Sequence, residues 1–134
     1  MSQENVEQFV QRMYDTFNVE GVGAAERFWD AEVEYHDDPQ WPGGSAHHGR
    51  DAVTARFLEV IQVLGIETAT VERVVEAGDD EMAWIVRYSG RSTGEGVPND
   101  HTWGYVGRIS HGRLIYFRAY YQPSKALEAA GLSE

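Results

Sequence analysis

The hydrophobic period of this chain changes at Gly65, and that change limits the fold more than any other feature. Before it, Val6, Phe9, Val10, Met13, Tyr14 and Phe17 fall at helical spacing, which predicts an amphipathic helix from about Ser2 to Phe17. Val22–Trp29, after Gly21, reads as a short second helix carrying Ala25, Phe28 and Trp29. Val53, Phe57, Ile61 and Leu64 mark a third, with Gly65 at the position where helices commonly stop. Beyond Gly65 the period is two. Ile66–Ala77 is rich in Thr and Val, and Glu81–Arg91 places Trp84, Val86 and Tyr88 on one face; Gly78-Asp79-Asp80 is the turn between these two strands. His101, Trp103 and Tyr105 share one face of a strand running to Ser110, and His111-Gly112 makes a tight hairpin. Ile115, Phe117, Ala119 and Tyr121 then alternate with Tyr116, Arg118 and Tyr120, and Pro123, Leu127 and Gly131 frame a closing helix. Ser92–Asn99, with two glycines and a proline, reads as a mobile loop.

Helices followed by mainly antiparallel strands predict a single α+β domain over residues 1–134. A curved sheet wrapped around the N-terminal helices would enclose a cone-shaped pocket. Facing it should be the stretch Val33–Val53. There Val33, Tyr35 and Asp37 alternate with Glu32, Glu34 and His36 as a strand, the chain breaks at Pro39, Pro42, Gly43 and Gly44, and a helix begins at Gly49-Arg50-Asp51. A carboxylate thus stands at a strand end beside a Trp- and Pro-bearing flap, a stiff base next to a movable cover.

Composition removes several classes of function. Twenty-two acidic against 11 basic residues give a net charge of −11, whereas nucleic-acid binders draw most of their affinity from basic faces. The same charge disfavours anionic membranes, and no run of eighteen apolar residues is present. With no cysteine, thiolate catalysis and Cys-based zinc sites are ruled out. His36, His47 and His48 with Asp37 and Asp38 match no metal-ligand spacing, and His47 and His48, in a Gly-Ser-Ala loop, read as solvated. No glycine segment forms a phosphate-binding fingerprint, so neither a metal nor a nucleotide cofactor is expected. A polar, acidic N-terminus lacks the pattern of a secretory leader, and a cytoplasmic location is expected.

Candidate chemistry centres on Asp37 and Asp38. Strand neighbours point to opposite faces; the apolar side of Val33 and Tyr35 favours Asp37 inward. Burial would raise a carboxyl's pKa towards the range useful for a base. Tyr14, on the apolar stripe of the first helix, would stabilise negative charge on a substrate oxygen. His101 or Tyr105 would shuttle a proton or share that task. Tyr35, Trp41, Phe57, Trp84, Tyr88, Trp103, Phe117 and Tyr121 are the expected wall of a pocket for a hydrophobic small molecule. Tyr116, Arg118 and Tyr120, on the other face of the last strand, are interface-prone types, and a homodimer is expected.

Tyr35-His36-Asp37-Asp38-Pro39, His48-Gly49-Arg50-Asp51-Ala52-Val53 and His111-Gly112-Arg113-Leu114, in this order along nearly the whole chain, resemble the nuclear transport factor two-like (cystatin-like) superfamily. Within it the chain looks most like the SnoaL-like branch that includes polyketide cyclases and ketosteroid isomerases. The resemblance implies a cofactor-free isomerase or cyclase, or an epoxide-opening enzyme, acting on a hydrophobic cyclic or polyketide-like molecule; the alternative is a non-catalytic binding or dimerisation domain. It implies an oxyanion donor at Tyr14 and a general base at Asp38, through the Asp-Pro dipeptide. The isomerases' second oxyanion donor, an aspartate, falls here on Tyr105 or Gly104, and the late-strand carboxylate of the cyclases has no counterpart.

Overall fold

The computed structural model describes residues 2–41, 44–91 and 98–132. Helix α1 (Gln3–Glu20) is capped by the Ser2 hydroxyl, which accepts from the Asn5 N–H, and ends at Gly21, whose φ of 90° suits a residue without Cβ. Helix α2 covers only Val22–Ala25 and a 3₁₀ turn follows over Glu26–Phe28. Strand β1 runs Trp29–His36, so Trp29 opens a strand and does not close the second helix, as the sequence pattern suggested. Then come β2 (Ala46–His48), α3 (Arg50–Leu64), β3 (Ile66–Gly78), β4 (Glu81–Arg91), β5 (Pro98–Ser110), β6 (Arg113–Tyr120) and α4 (Pro123–Ala129). The predicted loop Ser92–Asn99 falls largely outside the described residues; its last two positions, Pro98 and Asn99, belong to β5.

The six strands form one sheet in the order β2-β1-β6-β5-β4-β3, antiparallel except for the β1–β6 pair. Register shifts recur between β3 and β4, between β5 and β6, and within the β1–β6 pair. Each such bulge bends its strand and sharpens the twist, which is how a sheet of this width comes to wrap around helices. One of them also decides an orientation. Arg108 pairs with Tyr116 but Ile109 with Leu114, leaving Ile115 as the extra residue. Ile115 is 37% exposed and Leu114 is fully buried, the reverse of a strict alternation from Phe117.

The concave face carries the main core: Met82, Trp84, Val86 and Tyr88 of β4, Trp103 and Tyr105 of β5, and Phe117 of β6 against Val6, Val10, Met13 and Tyr14 of α1. The convex face carries a smaller one, where Ala126 and Leu127 of α4, with Ala130 just after it, cover Ala83 and Val106. Gly104 makes that contact close: a Cβ there would lie 2.6 Å from the Ala126 Cβ. The open edge at β3 is occupied by two amide side chains of α1. Asn18 donates to the Ala69 carbonyl and accepts from its N–H, both at 2.8 Å, while Gln3 donates to the Val74 carbonyl and accepts from Glu76 N–H, both at 2.6 Å. Pairing exposed edge groups in this way leaves less template for another chain.

Candidate active site

Between α1, α3 and the concave face lies a cavity with about 40 Å³ available to the centres of water molecules. That is room for several waters, at roughly 10–15 Å³ each on this measure. Met13, Tyr14, Phe17, Val22, Ala25, Trp29, Phe57, Val60, Ile61, Ile66, Tyr88, Trp103, Tyr105 and Phe117 line it, and among the described residues no charged side chain does. Its polar feature is a chain of phenols. Tyr14 and Tyr88 hydroxyls are 3.2 Å apart, Tyr88 and Tyr105 hydroxyls 2.8 Å apart, and the Trp84 indole N–H donates to the Tyr14 hydroxyl at 3.1 Å. The register explains the grouping, because Trp84 pairs with Tyr105 across β4 and β5, and Tyr88 lies two concave-facing steps along β4. Burial, reinforced by mutual repulsion between the phenolates, holds Tyr14 and Tyr105 well above the ordinary phenol pKa. Burial raises Tyr88 too, against the hydrogen bonds from Tyr105 and Tyr14, which lower it.

A count of protons follows. Three hydroxyls carry three protons, and two links join them. The Trp84 N–H supplies its own. Whatever the direction of the chain, one phenol O–H remains to be donated elsewhere.

His101 and Trp103 continue the row of Tyr105 outward along β5. Trp103 lines the cavity and also an open groove formed with Gln40, Trp41, Leu64, Asp100, His101, Thr102 and Tyr121. Trp41, Trp103 and Tyr121 meet there with ring centroids 5.2–6.1 Å apart. Two residues of this groove carry a buried polar atom without a partner among the described residues, His101 at Nε2 and Tyr121 at its hydroxyl. Burial, with repulsion from Asp38 and Asp37, pushes the Tyr121 phenol up to about 12.

Asp37 points to the same side as Val33 and Tyr35 and is buried, yet it lines neither the cavity nor the groove. The Arg56 Nε donates to both its oxygens at 3.1 Å, Arg56 Nη2 lies 3.0 Å from Oδ2, His47 Nε2–H donates at 2.8 Å and the Ser45 N–H at 3.2 Å. The tautomer of His47 follows from the acceptor, since a carboxylate offers only lone pairs. Burial alone would raise the Asp37 carboxyl, but Arg56, His47 and Ser45 outweigh it and the pKa is lowered. Asp38 is buried as well. It accepts from the Gln40 N–H and, across to the end of β6, from the Tyr121 N–H, both at 2.8 Å. A bend after His36 lets both neighbours turn inward.

Of the residues read from sequence as a pocket wall, Phe57, Tyr88, Trp103 and Phe117 line the cavity, and Trp41 and Tyr121 line the groove with Trp103. Tyr35 and Trp84 stand behind the wall. Tyr35 packs on Phe57 and Phe117, and Trp84 stacks on Tyr105 at 5.3 Å. Arg56 and His47 escaped the sequence reading. The signal for Arg56 was a charge three residues after Val53 and four before Val60, inside the buried stripe of α3. The Gly-Ser-Ala context of His47 suggests a solvated loop residue, but β2 pairs it with Tyr35 on the inner face, whereas His48 is exposed beside Glu32.

No curated protein sequence matches this chain. Solved structures do. Bal32a, from a soil-derived mobile gene cassette, is 23% identical over 88% of this chain and 89% of its own, with a TM-score of 0.72. A ketosteroid isomerase-like fold from Catenulispora acidiphila, solved with trimethylamine, is 18% identical over 92% of each chain, TM-score 0.69. A nuclear transport factor two-like protein from Burkholderia pseudomallei is 18% identical over 96% of this chain and 97% of its own, TM-score 0.72. At these identities the likeness is one of fold. The sequence model of the SnoaL-like domain matches residues 10–117, most of the chain, and the protein belongs to the SnoaL-like domain family.

Proposed function

We propose that the protein is a cofactor-independent acid–base enzyme, an isomerase or cyclase, that takes a hydrophobic cyclic or polyketide-like ketone into the cone. The observation that carries this reading is the unspent phenol proton in the wall of an apolar cavity. A carbonyl oxygen seated there accepts it. When a proton leaves the carbon beside the carbonyl, the oxygen gains negative charge and that hydrogen bond strengthens, while burial keeps the phenol from surrendering its proton outright. His101, toward the open end of the same row, carries the proton, its Nε2 having no partner among the described residues. Returning the proton to another carbon completes an isomerisation. Attack of the enolate carbon on a second carbonyl, with protonation of the new alkoxide, completes a cyclisation. Opening an epoxide is a third reaction that one proton donor and one base would serve. In this reading Asp37 fixes Arg56 and His47 in place, and Asp38 ties the flap to Tyr121.

Exchange of a bicyclic ketone's α-protons with heavy water, followed by NMR, tests this. The protein should accelerate exchange, and His101→Gln, or loss of all three hydroxyls by Tyr14→Phe, Tyr88→Phe and Tyr105→Phe together, should each lower the rate by about two orders of magnitude. Exchange at the buffer rate would remove the enzyme reading. The second reading is a non-catalytic binding or dimerisation domain. It is favoured by the fact that both inward carboxylates are already consumed, Asp37 by Arg56 and Asp38 by two backbone N–H groups. In either reading a second copy would pair across the convex face of Tyr116, Arg118 and Tyr120, each half-buried in the single chain.

A further inference from the structure

The closed cavity is smaller than the ligand that the proposed reaction takes. Several waters fill the space between α1, α3 and the sheet, and a bicyclic ketone needs far more. The extra room adjoins it. On β5 the inner face runs from Tyr105 in the cavity through Trp103 to His101 in the groove, and on α3 the helical row Phe57, Ile61, Leu64 runs the same way. A strand and a helix thus pass from cavity to groove, and Trp103 alone of the residues named lines both.

The other large members of the wall are fixed. Tyr14, Tyr88 and Tyr105 are joined by hydrogen bonds, and Phe57 and Phe117 pack on each other, on Trp29 and on Tyr35. Trp103 is held differently. Its ring meets those of Tyr88, Tyr105, Trp41 and Tyr121 with centroids 5.2–6.4 Å away, and among the described residues no hydrogen bond holds its indole N–H. On its outer side the groove is open, so a change of side-chain rotamer carries the indole into free space and not into the core. We infer that Trp103 is the gate of the ligand site: it turns into the groove to admit a ligand that then spans both spaces. The ligand is accordingly elongated, with its carbonyl oxygen at the phenols and its far ring in the place that the indole leaves, beside Trp41 and Tyr121. This inference rests on the cavity being the ligand site, as proposed above.

The chain has four tryptophans, Trp29, Trp41, Trp84 and Trp103, and fluorotryptophan labelling makes each a reporter in fluorine NMR, assigned by its Phe variant. The probe is a decalone, a two-ring ketone, with binding rates read by stopped-flow fluorescence. It should shift Trp103 and Trp41 at the outer end and Trp29 in the cavity wall. The observed binding rate of the wild type should level off as decalone increases, because opening sets the limit. In Trp103→Ala the rate should rise in proportion to decalone and exceed the wild-type plateau by about an order of magnitude. If that variant does not fold, the wild-type shifts and the wild-type rate still decide. Decalone that shifts Trp29 while Trp103 stays still overturns the gate and leaves the cavity reading standing. So does a wild-type rate that never levels off, or a plateau that survives in Trp103→Ala. If decalone shifts Trp41 and Trp103 but not Trp29, or shifts no tryptophan, the cavity is not the ligand site and both fall.

Discussion

Replacing Arg56 by Met should be the most destabilising single change at the site that leaves the cavity's phenols intact. The methionine stem fills much of the same space, so the loss is mainly one of charge. Asp37 forfeits three close contacts, from Nε at 3.1 Å to each oxygen and from Nη2 at 3.0 Å, and Trp41 loses the guanidinium 5.6 Å from its ring centroid. Removing one partner of a buried ion pair costs about 3–5 kcal/mol. His47 and Ser45 still donate to Asp37, so we expect the lower end, about 3 kcal/mol. For a domain of this length that is roughly a 10 °C fall in Tm. The pH dependence separates this cause from simple loss of packing. In the native protein Asp37 releases its proton more readily folded than unfolded, so its contribution is complete above the ordinary value of 3.8 and lost as pH falls through the folded pKa. In the variant, burial is less opposed and the folded pKa rises. The penalty is then largest at neutral pH and shrinks as protonation neutralises the carboxyl. Urea denaturation at about pH 7 and pH 4.5 would show the two proteins' stabilities converging on the acid side. Adding Asp37→Leu to Arg56→Met should recover a large part of the loss. A penalty below about 1 kcal/mol, or one independent of pH, would refute the argument.

Three further outcomes are expected. Ultraviolet titration of the native protein should leave the Tyr14, Tyr88 and Tyr105 phenols un-ionised until the fold is lost, because burial raises all three; Tyr88→Phe should cost about 1–2 kcal/mol through its two hydroxyl links. Early ionisation of three phenols would contradict the geometry. Gly104→Ala should push α4 off the convex face, since its Cβ would stand 2.6 Å from Ala126 and 3.1 Å from the Pro123 Cα, at a cost of about 1–3 kcal/mol read from denaturant midpoints.

Periodicity alone carried the α+β class, the order of the helices and long strands, and the row His101, Trp103, Tyr105, because these depend on which face each residue presents to a core. It also brought Tyr14 and Asp37 inside. Local pattern could not supply what depends on register and curvature. The bulge that turns Ile115 out, the three-residue strand that brings His47 to Asp37, and the shift of Trp29 from a helix end into the cavity wall all arise from pairing between distant segments. Arg56 stood in plain view on a buried stripe, yet its role needed a partner nineteen residues away in the chain. The phenol chain spans seventy-four residues between Tyr14 and Tyr88. The sequence therefore determined most of the side chains that face the interior. Tertiary structure decided which of those polar groups satisfy one another and which keep a proton to spare, since hydrogen bonds are fixed by distance and angle and not by spacing along the chain.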